Sequence, residues 1–216
     1  MTQNKRDISR ERNRMALIEA ALDCVAELGM ANTSVSEIIG RSGLSRGMIH
    51  LHFNGKAKLM EAAIAHSSDL YYEALDRLLE QAGSDASPQA RIEAIVRSDL
   101  SAEVLNTRSV RIWYAFRGEA HNHEIIRLYS DTRHDRLRKL IYQPFLAIFR
   151  EVGADDPAGV ARDVTHGTLA LMEGMWTDFL LHPDSFDRDA ACRIVFRFLA
   201  ALCPQHFDLP GAREDG

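Results

Sequence analysis

Residues 34–53, SVSEIIGRSGLSRGMIHLHF, decide how the rest of the chain is read. Ser34 followed three residues later by Glu37 is a capping box, in which serine oxygen and glutamate carboxylate satisfy free N–H groups at a helix start. Ile38 and Ile39 supply that helix's buried face. Gly43 can adopt the left-handed conformation that ends it, and Ser45 can cap a second helix carrying Ile49 and Phe53 inward. Two short helices about a tight turn have the spacing of a helix-turn-helix, whose second helix can lie in the major groove of DNA. Any helical hairpin needs a glycine turn, so the reading depends on what surrounds it.

Outward from this pair the apolar spacing is helical nearly everywhere. Upstream, Ile18, Ala21, Leu22, Val25 and Leu28 share one face of a helix predicted from about Ser9 to a stop at Gly29. Downstream, a long helix is predicted from Lys56 to about Ala82. The next runs from Ser87-Pro88 to about Leu105, with serine as cap and proline in the first turn. Thr107 to Arg117 forms another, ended by Gly118. From about Asn122 to Val152 a further helix contains Pro144, which removes the donor to the Leu140 carbonyl and should kink it. Asp156-Pro157 and Asp187 open the last two, which stop before His182-Pro183 and at Pro204. Nine helices and no alternating strand pattern make the fold class all-α, with a polar, frayed tail after about Leu209.

The 216 residues are 46% hydrophobic and 26% charged, a globular profile that excludes disorder and fibrous repeats. Residues 1–60 hold 9 Lys/Arg and 6 Asp/Glu, against 17 and 25 in the remainder. A basic head on an acidic body directs any polyanion to the head. Cys24, Cys192 and Cys203 are odd in number, far apart and in no C-x-x-C pattern. They argue against a disulfide framework or structural zinc and for a reducing cytoplasm. No apolar run reaches the ~18 residues of a membrane span and no signal core follows the basic N-terminus, so neither membrane insertion nor export is expected. With no G-x-S-x-G elbow, phosphate loop, dinucleotide fingerprint or H-E-x-x-H pair, neither an enzyme nor a cofactor is expected. His121, His123 and Glu124 hint at a metal, but i and i+2 point apart on a helix and no metal site is expected.

Three features strengthen the helix-turn-helix. They are the basic arm Lys5, Arg6, Arg10, Arg12 and Arg14, the polar positions Ser45, Arg46, His50 and His52, and two lysines, Lys56 and Lys58, at the next helix start. There the helix dipole disfavours cations by about 0.3–1 kcal/mol each, a penalty that a nearby phosphate reverses. The chain resembles the TetR family of bacterial transcriptional regulators. The resemblance rests on Gly29-Met30-Ala31-Asn32-Thr33-Ser34-Val35-Ser36-Glu37-Ile38, Gly43-Leu44-Ser45-Arg46-Gly47 and His52-Phe53-Asn54-Gly55-Lys56-Ala57-Lys58-Leu59, in the family's order and spacing. It implies an N-terminal three-helix DNA-binding unit joined through a fourth helix to a helical body that binds ligand and dimerises. Residue by residue it assigns DNA contact to Ser45, Arg46, Gly47, Met48, His50 and His52 and phosphate contact to Lys56, to which the arm's Arg12 and the Ser34 cap are added. Ile39 stands where a small alanine is usual, His50 and Leu51 replace aromatics, and Gly55 replaces a common serine cap. The bases read therefore do not follow from family habit.

The body is similar to BetI-type regulators, which repress choline-to-glycine-betaine genes and respond to choline. The matching pieces are Trp113-Tyr114-Ala115-Phe116, Met172-Glu173-Gly174-Met175-Trp176 and the arginine-rich helix from Asn122. Aromatic faces hold a quaternary ammonium by cation–π attraction, worth about 2 kcal/mol or more when desolvated, and a carboxylate assists. Trp113, Tyr114, Phe116 and Trp176 with Glu173 could form such a cage. Arg117 falls where the choline-responsive pattern has a further aromatic. Pointing inward it repels a cation and favours an anionic ligand; pointing outward, on the face of Trp113, it is harmless.

Other readings stand beside these. Trp113 and Trp176 at helical spacing equally suit core packing. His166 and Glu173, seven apart, suit a polar pair on one helix face. Gly159, Gly167 and Gly174 each cost about 0.5–1 kcal/mol in a helix, which the close approach of another helix offsets, either within the chain or in a four-helix dimer contact. The expectation is a cytoplasmic homodimeric repressor, with residues 1–53 binding double-stranded operator DNA and residues 54–216 sensing a small-molecule effector and dimerising. The effector is choline, or else an apolar drug, acyl compound or anionic metabolite.

Overall fold

The computed structural model describes residues 2–120 and 124–207, without the side chains of residues 2–5, 124, 125 and 127–134. The hint of a metal at His121, His123 and Glu124 and the tail after Leu209 lie outside the described residues, as does the Lys5 side chain. Among the described residues there are nine helices and no strand: α1 (Thr2–Asn32), α2 (Val35–Ser42), α3 (Arg46–Phe53), α4 (Lys56–Ala82), α5 (Pro88–Asp99), α6 (Thr107–Glu119), α7 (Glu124–Glu151), α8 (Pro157–Leu181) and α9 (Arg188–Leu202). The all-α expectation is met.

Four caps and the stop at Gly43 fall where the sequence places them, whereas Ser45 makes no cap bond. The Ser34, Ser87, Asp156 and Asp187 side chains accept from the N–H groups of Glu37, Ala90, Gly159 and Ala190, which stabilises each helix start by about 1 kcal/mol. Gly43 ends α2 at φ 67°, its N–H bonded to the Ile39 carbonyl. Gly29 leaves helical geometry within α1, so the stop expected there is a break before a short last turn.

Three boundaries differ from expectation, and the first is that of α6, which runs through Gly118 to Glu119 instead of ending at Arg117. α1 begins at Thr2 rather than about Ser9; Arg6, Asp7 and Ile8 are exposed, so this end of the helix offers no apolar period to read. α5 ends at Asp99, not Leu105, although Leu100, Val104 and Leu105 are buried. The Arg188 guanidinium donates to the Leu100 and Leu105 carbonyls at 3.0 and 2.7 Å, supplying bonds that a continued helix would have made. α7 is assigned as helix through Pro144, with Phe145, Leu146, Ile148 and Phe149 buried beyond it.

The chain divides into two compact units. The first comprises residues 1–70 and 108–132. Its core joins Leu17, Ile18 and Leu22 of α1, Ile38 of α2, Ile49 and Phe53 of α3 and Leu59 of α4 to Ile112 and Phe116 of α6 and Ile126 of α7. The second comprises residues 71–107 and 133–216. Its α8 and α9 pack closely: a Cβ on Gly167 would lie 2.9 Å from the Phe198 ring, so this glycine serves contact within the chain. Gly159 is required by its cap, since a Cβ would strike the Asp156 carboxylate, whereas Gly174 faces open space.

Candidate nucleic-acid interface and effector residues

The second helix of the pair, α3, is held by its inner face and leaves its outer face bare. Ile49 and Phe53 are buried and Met48 is half-buried against the same core, so Met48 shares its surface between packing and any groove contact. Ser45, Arg46, Gly47 and His50 are exposed. Ser45 occupies the N-cap position without using its hydroxyl as a cap, which leaves that oxygen to the outside. The hydroxyl of Ser34, also exposed, is engaged by the Glu37 N–H.

His52 is placed differently from His50. It is half-buried beside Phe53, and its Nε2 is buried with no hydrogen-bond partner among the described residues. Burial, and then the nearby charges of Arg10 and Arg14, hold its pKa below the ordinary histidine value. Arg14 lies over the Phe53 ring at 5.6 Å and pairs with Glu11, while Arg6, Arg10 and Arg12 are exposed along α1. The basic arm is thus partly occupied with docking α1 on α3 and partly open.

The turn into α4 uses two positive φ angles, Asn54 at 56° and Gly55 at 127°. The Gly55 carbonyl accepts the Leu59 N–H, so Gly55 starts α4 by backbone geometry that a serine would strain to adopt. That is why the usual serine can be missing. Lys58 is spent on Glu61 at 2.7 Å, but no ion pair among the described residues takes Lys56, at the positive end of the same helix.

The effector candidates divide between the units. Phe116 is buried in the core of the first unit, an ordinary packing role, while Trp113 and Tyr114 are half-buried. Arg117 is exposed, with its guanidinium 5.8 Å from the Trp113 ring centre, in the shared-face arrangement. α6 is tied to α1 by Arg108, which donates to Asp23 at 2.7 Å and to Glu19 at 2.6 Å; Glu19 also meets His66 at 2.8 Å.

In the second unit Glu173 is half-buried and His166 exposed. Trp176 is 5% exposed, and its Nε1 donates to Asp99 Oδ2 at 2.9 Å. Tyr71 donates to Asp99 Oδ1 at 2.8 Å, and the Tyr71 ring lies edge-on to both Tyr72 and Trp176. Asp99 was missed as a site residue, yet a signal exists. Ile92, Ile95, Val96 and Asp99 stand at i, i+3, i+4 and i+7, an acid on the apolar stripe of α5.

Burial raises the thiol pKa of Cys24, Cys192 and Cys203, the last to about 11, so none is an activated nucleophile. Among the described residues no group of His, Cys, Asp and Glu could hold a metal, and no helix is long and apolar enough to cross a membrane.

Residues 17–63 match the bacterial regulatory proteins of the tetR family, and residues 88–204 match the C-terminal domain of BetI-type transcriptional repressors. The HTH-type transcriptional regulator BetI of Pseudomonas paraeruginosa is 32% identical over 187 residues, 86% of this chain and 90% of that protein. A crystal structure of a transcriptional regulator from Pseudomonas aeruginosa PAO1 superposes with a TM-score of 0.73 at 26% identity, covering 90% of this chain and 91% of that one. A transcriptional regulator from Saccharomonospora viridis, crystallised in complex with choline, shares the fold with a TM-score of 0.70 at 21% identity, covering 88% of this chain and 96% of that one. The chain belongs to the TetR family of bacterial transcriptional regulators, with a BetI-type C-terminal domain, and is a ligand-responsive DNA-binding repressor.

Proposed function

We propose that the protein is a cytoplasmic homodimer that leaves its operator when its body binds a quaternary ammonium compound of the choline type, and that it controls genes of choline-to-glycine-betaine conversion. The observation that carries the effector class is the buried carboxylate of Asp99, held by Tyr71 and Trp176 within one unit. A carboxylate beside aromatic rings is the pairing of chemistries that holds a quaternary ammonium. The similarity to BetI proteins and the choline complex of a same-fold regulator support the same class.

Residues 1–53 read the operator and residues 54–216 sense and dimerise. Arg12, Ser34, Ser45, Arg46, Gly47, Met48, His50 and His52 contact the DNA, and Lys56 takes a phosphate. Exposed Val160 and Leu181 on α8 and Ile194 and Leu202 on α9 supply apolar surface for the partner chain. Two copies of α3 then enter successive major grooves about 34–36 Å apart, on a near-palindromic site. Linkage explains release. Effector favours a body conformation that carries the reading unit out of register, and operator affinity falls by the ratio of effector affinities for the two states. α6 suits this role, because Ile112 and Phe116 lie in the core beneath α3 while Trp113, Tyr114 and Arg117 ride on the same helix.

A second reading has an anionic effector. Arg117 favours it, since a guanidinium over Trp113 attracts a carboxylate and repels an ammonium. Operator anisotropy during titration with choline and with its uncharged isostere 3,3-dimethylbutanol separates the two. Release by choline alone is expected. Release by neither compound overturns the cationic reading.

A further inference from the structure

We propose that Leu51 reads a thymine, by packing on its C5-methyl group in the major groove. The inference rests on α3 being the helix that enters the groove. Leu51 is 62% exposed, although it sits in an eight-residue helix whose apolar neighbours Ile49 and Phe53 are buried. Among the described residues, no packing asks for leucine at this exposed position. It lies two residues from Ile49 and from Phe53, off the packed face, and lysine, arginine or glutamine would form helix as well.

The position one turn earlier on the same side is Gly47, and it too lacks an internal reason. A Cβ there would find only the Ser45 hydroxyl, at an ordinary 3.7 Å. The outer face of α3 therefore carries two adjacent i, i+4 rows. Arg46 and His50 form one that can donate hydrogen bonds, and Gly47 and Leu51 form one that cannot. The first suits acceptors on a guanine edge. The second offers a gap where a base edge can approach and an aliphatic side chain beside it. Among the base edges of the major groove the apolar group is the thymine methyl, which cytosine, adenine and guanine lack. Leucine has no donor or acceptor for any other edge.

The test uses full-length protein and an operator footprinted upstream of its own gene, with each thymine replaced in turn by deoxyuridine, which removes the methyl and nothing else. Wild type should lose roughly fourfold in affinity at one thymine per half-site, the worth of about one buried methylene. Leu51→Ala should bind the unmodified operator more weakly and be indifferent to deoxyuridine at that position. Thermal melting by circular dichroism should show Leu51→Ala folded as wild type, as expected for an exposed side chain. Leu51→Gln, an equally good helix former, should lose the same discrimination. The proposal is overturned if Leu51→Ala keeps the wild-type deoxyuridine penalty at every position, if wild type shows none, or if the variant loses equally on all operators, as a contact to sugar would. Arg46→Ala separates the underlying reading. If it binds as wild type, α3 is not the reading helix; if it weakens binding while Leu51→Ala behaves as wild type, only the methyl contact fails.

Discussion

Trp176 donates its indole N–H to the Asp99 carboxylate at 2.9 Å, joining α8 to the last turn of α5 across 77 positions of sequence. Both residues are 5% exposed, so the bond is made away from water, and removing the donor leaves an acceptor to be desolvated without it. Trp176→Phe keeps one aromatic ring but loses the N–H and the rest of the indole, and should cost at least about 1–3 kcal/mol in urea unfolding. Asp99→Asn keeps the shape while removing the charge, and should abolish release by choline with operator binding intact. If instead both Trp113→Ala and Trp176→Ala fail to fold, each indole is a core residue of its own unit.

Gly47→Ala should move stability and function in opposite directions. A Cβ meets no close atom in the chain, so the helix should gain up to about 0.5–1 kcal/mol, read as a higher unfolding midpoint. The same methyl should keep the base edge from approaching α3 and weaken operator binding severalfold. A variant that is more stable and binds equally well would remove Gly47 from the interface.

Lys56 and Lys58 stand two residues apart on α4 with different expectations. Lys58 is paired with Glu61, whereas Lys56 is the residue we propose takes a phosphate. Lys56→Ala leaves that phosphate with its counterion and should reduce the slope of log affinity against log salt by about one unit. Lys58→Ala should change it less. Arg46→Ala should weaken specific binding while non-specific binding survives.

His52 gives a pH dependence of fixed sign. Its folded pKa lies below the ordinary value through burial and the charges of Arg10 and Arg14, so the unfolded chain binds the proton more readily. The contribution is complete above the unfolded value and is lost as pH falls through it toward the folded pKa. Stability measured by urea from pH 8 to pH 5 should decline, and His52→Gln should flatten the part of the decline that begins near pH ~6.5.

What the sequence made legible were elements with local chemistry: the caps at Ser34, Ser87, Asp156 and Asp187, the stop at Gly43 and the apolar stripes between them. What it hid depends on distant partners. α5 stops at Asp99 because Arg188, more than 80 positions on, takes the carbonyls of the following turn. Gly55 reads as a poor cap until its φ of 127° is seen. The exposed face of α3 was legible from its pattern, but Leu51 passed as a missing aromatic and not as an exposed apolar group. Asp99 was hidden differently: an acid on an apolar stripe was visible, but the Tyr71 and Trp176 that hold it were not.

The most direct test is a mobility shift of the DNA upstream of the protein's own gene, titrated with purified protein with and without choline. Specific binding that choline releases is the predicted result. Specific binding that choline leaves unchanged would contradict the effector assignment, and no specific binding under either condition would contradict operator recognition at that site.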